Sequence, residues 1–291
     1  MNFTMNPHYG LYLMNFGESS DPRQLTEFAR EAEGAGWDGF FLTDTIMYHK
    51  TGEEPVSDCF ISLAAVAAKT SRIRIGTTIA ALPRRKPWQV AREAVAIDQL
   101  SGERLTLGVG LGDPPDVEYE KFGEESDPRV RGEKLDESLD ILQGLWTGRE
   151  FSYNGKYYQV DKARFVPTPK QRPRIPIWVG GSWPNKRPFR RAARWDGVIP
   201  VKEQRTISLE PSDLPEIIAY TRKRRTSRAP FDIVIIGNGS TPEEIETRRS
   251  QYERLGITWW LKYLPTYRNS PKEMHEQIQK GPPRPETIVE H

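Results

Sequence analysis

Cysteine is almost missing from this 291-residue chain: Cys59 is the sole one. A single thiol excludes an intramolecular disulfide framework and a multi-cysteine metal site. Histidine is scarce as well. His8, His49, His275 and His291 are scattered, and none stands at i, i+4 to another, so no metal site is expected. Net charge is small, since 42 Lys and Arg face 40 Asp and Glu for a balance of +2. That balance gives no electrostatic drive toward nucleic acid or an anionic membrane. Long apolar runs are lacking too; the longest are strand-length, far short of the ~20 residues that span a bilayer. The N-terminus has no basic stretch before its apolar run, so it does not read as a signal peptide, and a cytoplasmic protein is expected. Neither a GxSxG elbow nor a P-loop is present.

What the chain does have is a soluble globular composition, 36% hydrophobic and 28% charged, with 24 prolines and 8 tryptophans. Strand-like and helix-like runs alternate along it. Strands are predicted at Tyr9–Phe16, Asp38–Thr43, Arg72–Ile79, Arg104–Gly112, Ile175–Val179, Gly197–Val201, Phe231–Ile236 and Ile257–Leu264. Helices follow each, the first opening on Asp21 as N-cap with Pro22 behind it. Others are expected at Asp58–Ala68, Trp88–Leu100, Arg131–Trp146, Lys186–Trp195, Leu214–Arg225, Pro242–Leu255 and Pro271–Lys280. Eight such units without a composition break fit one closed (β/α)8 barrel over residues 1–291, with an irregular tail from Gly281. One segment breaks the rhythm. Asn154-Gly155 between aromatic residues marks a β-hairpin within Phe151–Arg172, before the fifth barrel strand and on the face opposite the chemistry.

A parallel barrel carries its chemistry where strands end and helices begin. In the fourth strand Gly108, Gly110 and Gly112 share one face, which suits either a flat ligand or crowding within the barrel. The third-glycine spacing of a dinucleotide fingerprint is absent, and Pro114-Pro115 speaks against a helix beginning there. After the fifth strand, Val179-Gly180-Gly181-Ser182-Trp183-Pro184-Asn185 leads into a helix, a ready anion site for which Arg131 is a candidate cation. Ser182 or Asn185 could equally be a plain N-cap. Gly237–Ser240 is a rival anion site, although Thr241-Pro242-Glu243-Glu244 has the form of a capping box. Arg222–Arg225 reads as a solvated helix face.

Several segments together resemble the bacterial luciferase-like flavin-dependent oxidoreductases over residues 8–265. They are REAEGAGWDGFFLTD (30–44), RIRIGTTIAALPRRKP (72–87), VAREAVAIDQLSGERLTLGVGLG (90–112), RGEKLDESLDILQGLW (131–146), PIWVGGS (176–182), RRAARWDGVIP (191–200) and LGITWWL (255–261). The resemblance implies a (β/α)8 barrel and a monooxygenase or related oxidoreductase using FMN or the deazaflavin coenzyme F420 on a small organic substrate. It implies that the ring stacks over the C-terminal mouth, against Thr78 and Ile79, whose peptide is expected to be cis. It implies further that the cofactor phosphate meets Ser182, Asn185 and Arg131, with Gly180 and Gly181 beside them and Gly108 and Gly110 near the ring. Two departures stand out. Many relatives have a histidine after the acid that ends the second strand, whereas here Asp44 is followed by Thr45. The long insertion after the seventh strand is also absent, leaving Thr45–Ser57 and Pro114–Val130 as covers.

Asp44, Thr45, Asp113 and His49 are the polar catalytic candidates, each with a bland reading as a turn or cap residue. Arg84-Arg85-Lys86 could receive the acidic tail of a deazaflavin or be surface charge. Phe16, Tyr48 and Trp183 are candidate aromatic walls. A non-catalytic binding barrel of the same family is the alternative, and an exposed apolar face on the early helices would suit a homodimer.

Overall fold

The computed structural model describes residues 7–48, 52–202, 209–237, 251–252 and 254–283. Eight parallel strands close into a barrel: β1 (His8–Leu13), β2 (Gly39–Leu42), β3 (Arg74–Ala81), β4 (Leu105–Gly110), β7 (Ile177–Trp183), β8 (Gly197–Lys202), β9 (Asp232–Gly237) and β10 (Trp259–Leu264). They stand around the barrel in chain order, and β1 pairs with β10 to seal it. Between β4 and β7 lies a separate antiparallel hairpin of β5 (Glu150–Asn154) and β6 (Gln159–Arg164). The helices are α1 (Pro22–Gly34), α2 (Cys59–Lys69), α3 (Pro87–Ser101), α4 (Pro115–Glu118), α5 (Pro128–Leu145), α6 (Lys186–Ala192), α7 (Leu214–Arg222) and α8 (Pro271–Gln279).

Side-chain alternation divides the core in two. Leu11, Leu13, Phe40, Leu42, Leu107 and Val109 point outward against the helices. At the alternate positions of the strands, Tyr12, Phe41, Trp178, Val234, Trp259 and Leu261 fill the barrel. The filling is aromatic: the Phe41 ring lies 5.2 Å from Trp178, which lies 5.5 Å from Trp259. Helix starts follow the local chemistry. Asp21 accepts from the Arg23 amide at 2.7 Å, Asp58 from Ile61 at 2.9 Å and Asp127 from Arg129 at 2.8 Å, each satisfying an amide that the helix itself cannot. Helix α3 ends on Gly102 at φ 65°, a conformation easy for glycine alone. Buried Arg104 closes the end of α2 by donating to the carbonyls of Thr70 at 2.8 Å and Ala67 at 3.1 Å.

Some expectations are refined. The first strand stops at Leu13 rather than Phe16. The fifth barrel strand continues past Val179 to Trp183, because β8 keeps pairing with it as far as Lys202. Helix α6 is correspondingly short and ends before Trp195. A helical turn does begin at Pro115, contrary to the reading of Pro114-Pro115, since proline suits the first position of a helix. The hairpin joins Asn154 to Gln159 across a four-residue loop, with the Gly155 amide donating to Tyr158 O at 2.9 Å, instead of turning at Asn-Gly itself. It packs on α5, where Glu137 Oε2 accepts from the Tyr158 amide at 3.0 Å. The helix expected over Pro242–Leu255, the rival anion site after Gly237, and the tail from 284 fall largely or wholly outside the described residues. Among the described residues no helix is long and apolar enough to cross a membrane.

Candidate active site at the barrel mouth

The C-terminal mouth is built around a break in β3. Its pairing with β4 shifts register between Thr77 and Ala80, and the Thr78–Ile79 peptide inside that break is cis. Gly108 lets the strands come this close: a Cβ there would meet the Thr77 carbonyl oxygen at 2.1 Å. Gly110 and Gly180 make room for Ile79 from the two adjoining strands, a Cβ meeting its Cδ1 at 2.7 Å and its Cγ2 at 3.0 Å respectively. The glycines of β4 therefore seat the β3 bulge, and the surface they offer at the mouth is the half-buried face of Ile79. The Thr78 hydroxyl is buried with no hydrogen-bond partner among the described residues.

Asp44, at the end of β2, is held by cations. Its carboxylate takes Arg85 Nη2 at 2.5 Å and Nε at 2.9 Å, and the Ala81 amide at 3.2 Å. Arg84 donates to the Asp44 carbonyl and lies 3.2 Å from Glu118 Oε2. The Asp44 and Glu118 side chains are each 2% exposed and Arg84 is 7%, so this is a buried ion-pair knot. Arg84 and Arg85 are thus not surface charge, as the basic run suggested: burial at the β3 end requires partners, and the acids of β2 and α4 supply them. Burial would lower the Arg85 pKa, and the Asp44 carboxylate more than offsets it. Burial raises Glu118 to about 7 against the opposing pull of Arg84 and of the Ile46 and Met47 amides. Glu118 also accepts from the Ile46 amide at 3.2 Å, which ties together the two loops expected to cover the mouth. Beside the knot is a cavity of about 400 Å³ lined in part by Asp58, Lys86 and Glu93.

The other candidates separate. Thr45 has its backbone pinned by fully buried Asn15, whose Oδ1 accepts the Thr45 amide at 3.1 Å and whose Nδ2 donates to Thr45 O at 2.8 Å. Asp113 is exposed in the turn before Pro114. His49 lies outside the described residues. Arg131 is buried and directs Nη1 to the carbonyls of Gly112 at 2.9 Å and Leu111 at 3.3 Å, while its Nε has no partner. Asn185 is the N-cap of α6, accepting from Arg187 at 3.2 Å, and Ser182 is exposed on the last turn of strand before it. Gly181 lies against Pro188, where a Cβ would come within 2.3 Å.

Of the expected walls, Phe16 and Tyr48 stack at 3.9 Å, whereas Trp183 packs outside the barrel against Phe189, Tyr220 and Lys186. A set of phenols was not among the expected walls. Tyr12 and Tyr263 lie 5.4 Å apart, and the Tyr263 and Tyr267 hydroxyls are hydrogen-bonded at 3.2 Å. Strand alternation placed Tyr12 and Tyr263 inside the barrel, but only closure between β1 and β10 brings them together. Among the described residues, no cluster of three or more metal-ligating side chains is present.

Fold and mouth define a (β/α)8 barrel whose open end is a bulged, glycine-backed platform facing a wall of phenols. The chain belongs to the luciferase-like monooxygenase family, which it matches over residues 6–286. It is 32% identical over 250 residues to an uncharacterized protein of Mycobacterium tuberculosis, covering 79% of this chain and 81% of that one. A shorter match, 34% over 130 residues, is to the oxygenase component of a flavin-dependent trigonelline monooxygenase of Acinetobacter baylyi, covering 45% of this chain and 36% of that protein. Among solved structures it is similar to an F420-dependent secondary alcohol dehydrogenase in complex with an F420–acetone adduct. The TM-score is 0.77 at 16% identity, over 96% of this chain and 99% of that one, a likeness of fold. Relatives thus use a flavin or F420.

Proposed function

We propose that this chain is an oxidoreductase that binds reduced FMN or F420 over Ile79 and acts on a small organic substrate at the barrel mouth. The observation that carries this reading is the platform itself. Ile79 is presented at the mouth from a hollow that Gly110 and Gly180 leave, above a buried Thr78 hydroxyl with no partner. A buried polar group without a partner costs about 1–3 kcal/mol, so a ligand that hydrogen-bonds to it is favoured. Thr78 and Ile79 would carry the ring, Ser182 would meet the phosphate beside the Asn185-capped helix, and the free Nε of Arg131 stands behind β4. When bound, the reduced cofactor supplies a hydride or, as a flavin, the reducing power to activate dioxygen. The protein's part is orientation and exclusion of water, with Glu118 holding the two covering loops together.

The Asp44 carboxylate, bound on both oxygens, contributes to the frame of the mouth rather than to proton transfer. Titration of the purified protein with FMN and with F420, followed by the cofactor's absorption and fluorescence, tests the reading. Saturable binding of one of them is expected, followed by substrate-dependent oxygen uptake for a flavin or hydride exchange for F420. Binding of neither, oxidised or reduced, would leave a non-catalytic barrel.

A further inference from the structure

On the side of the mouth opposite Ile79, the charge set against the phenols is exposed Arg268, whose guanidinium lies 5.2 Å from the Tyr267 ring. Asp44, Arg84, Arg85 and Glu118 pair with one another. Arg131 donates to the carbonyls at the end of β4, and Lys202 reaches Asp213 at 3.2 Å. What lines this side instead is Tyr12, Tyr263 and Tyr267, with Phe16, Tyr48 and Ile236 around them. These phenols are held neutral. Burial raises the pKa of both Tyr12 and Tyr263, and the neighbouring Tyr267 adds to it. A neutral phenol is a hydrogen-bond donor at any physiological pH.

The donor arithmetic leaves hydrogens over. The Tyr263 and Tyr267 hydroxyls share one hydrogen bond, Tyr267 shares another with Tyr48, and the Tyr12 hydroxyl has no partner among the described residues. When Tyr267 donates to Tyr263, the hydrogens of Tyr263 and Tyr12 are both available, on rings 5.4 Å apart. Two such donors within an apolar, aromatic surround match an oxygen that accepts two hydrogen bonds. A carboxylate or phosphate would find no counter-charge on Tyr12 or Tyr263 themselves, and Arg268 stands over the Tyr267 ring instead.

We propose that Tyr12 and Tyr263 bind the carbonyl or hydroxyl oxygen of a neutral, ring-bearing substrate. This rests on the mouth being the redox site and goes further in assigning what it takes and which side chains select it. The two hydroxyls recognise oxygen, while Phe16 and Tyr48 offer ring faces.

Three probes of similar size separate the terms: acetophenone, ethylbenzene, which lacks the oxygen, and benzoate, which is charged. Their dissociation constants are measured by ligand-observed NMR with the full-length protein, before and after saturation with whichever cofactor binds. Acetophenone is expected to bind about tenfold more tightly than ethylbenzene, and benzoate more weakly than either. Tyr12→Phe and Tyr263→Phe are each expected to reduce that preference by about threefold, and the double variant to abolish it, while cofactor affinity stays unchanged. A merely structural tyrosine would weaken both neutral probes alike and leave their ratio intact. The proposal is overturned if the double variant keeps the preference, if benzoate binds best, or if no neutral probe binds. Failure to bind either cofactor overturns the redox reading instead, since the probe ratios are also measured on the protein alone.

Discussion

Two polar regions meet at the C-terminal ends of the strands, and they are built on opposite terms. At β2 and β3 the groups are charged, buried and mutually consumed: Asp44, Arg84, Arg85 and Glu118. Beside β1 and β10 they are neutral, with hydroxyls in reserve: buried Tyr12 and half-buried Tyr263 and Tyr267. The first has the composition expected of acid–base chemistry and behaves as a fastening. The second has no charge and keeps donors for a ligand. A charge at a strand end is thus no guide to catalysis until its partners are counted.

The sharpest way to break this contrast is to cut the fastening. Asp44→Ala takes from Arg85 its closest acid and leaves Arg84 with Glu118, and removal of one member of a buried pair costs about 3–5 kcal/mol. Urea denaturation should register that loss, whereas Tyr263→Phe should change stability by less than about 1 kcal/mol. Equal effects would erase the distinction between the two regions.

The platform between them yields the next effect. Gly108→Ala sets a methyl against the Thr77 backbone oxygen, where nothing flexible can yield, and should cost about 1–3 kcal/mol or more. Gly110→Ala meets side-chain rather than backbone atoms, Ile79 Cδ1 at 2.7 Å and Cγ1 at 3.0 Å, so a smaller loss in melting temperature is expected. The reverse ranking would mean that the β3 bulge is not seated as described.

Glu118 then gives the charged region a pH signature. Its folded pKa, about 7, lies above the ordinary 4.5, so the folded state binds more protons than the unfolded one between those values. Its contribution to stability is therefore full below about pH 4.5 and is lost as pH rises through 7. Stability measured from pH 5 to 8 should fall less steeply in Glu118→Gln than in the wild type. An unchanged slope would remove Glu118 from the account. The smallest effect belongs to the end of β7: Asn185→Ala should cost about 1 kcal/mol through the lost N-cap, and Ser182→Ala should leave stability unaltered while weakening cofactor binding.

The barrel was legible because its signals are local. The short apolar run Phe40-Phe41-Leu42, the cap at Asp21-Pro22 and the terminator at Gly102 each state their own element. Thr78-Ile79 was legible through resemblance and the β4 glycines through their spacing, and the structure adds that Gly108 and Gly110 accommodate β3. The ion-pair knot at Asp44 was not legible, since Arg85 is 41 residues away and Glu118, the acid of Arg84, arrives on a turn that two prolines seemed to forbid. Nor was the phenol wall, because Tyr12 and Tyr263 lie at the two ends of the chain and meet only when β1 closes on β10. Pairings that depend on closure leave no periodicity in the sequence.

The most direct measurement is a crystal structure of the protein soaked with whichever of FMN or F420 it binds in solution. The account predicts a tricyclic ring resting on Ile79, with Tyr12 and Tyr263 across the remaining gap. Density instead in the cavity beside Arg85 and Lys86, with Ile79 bare, would contradict it.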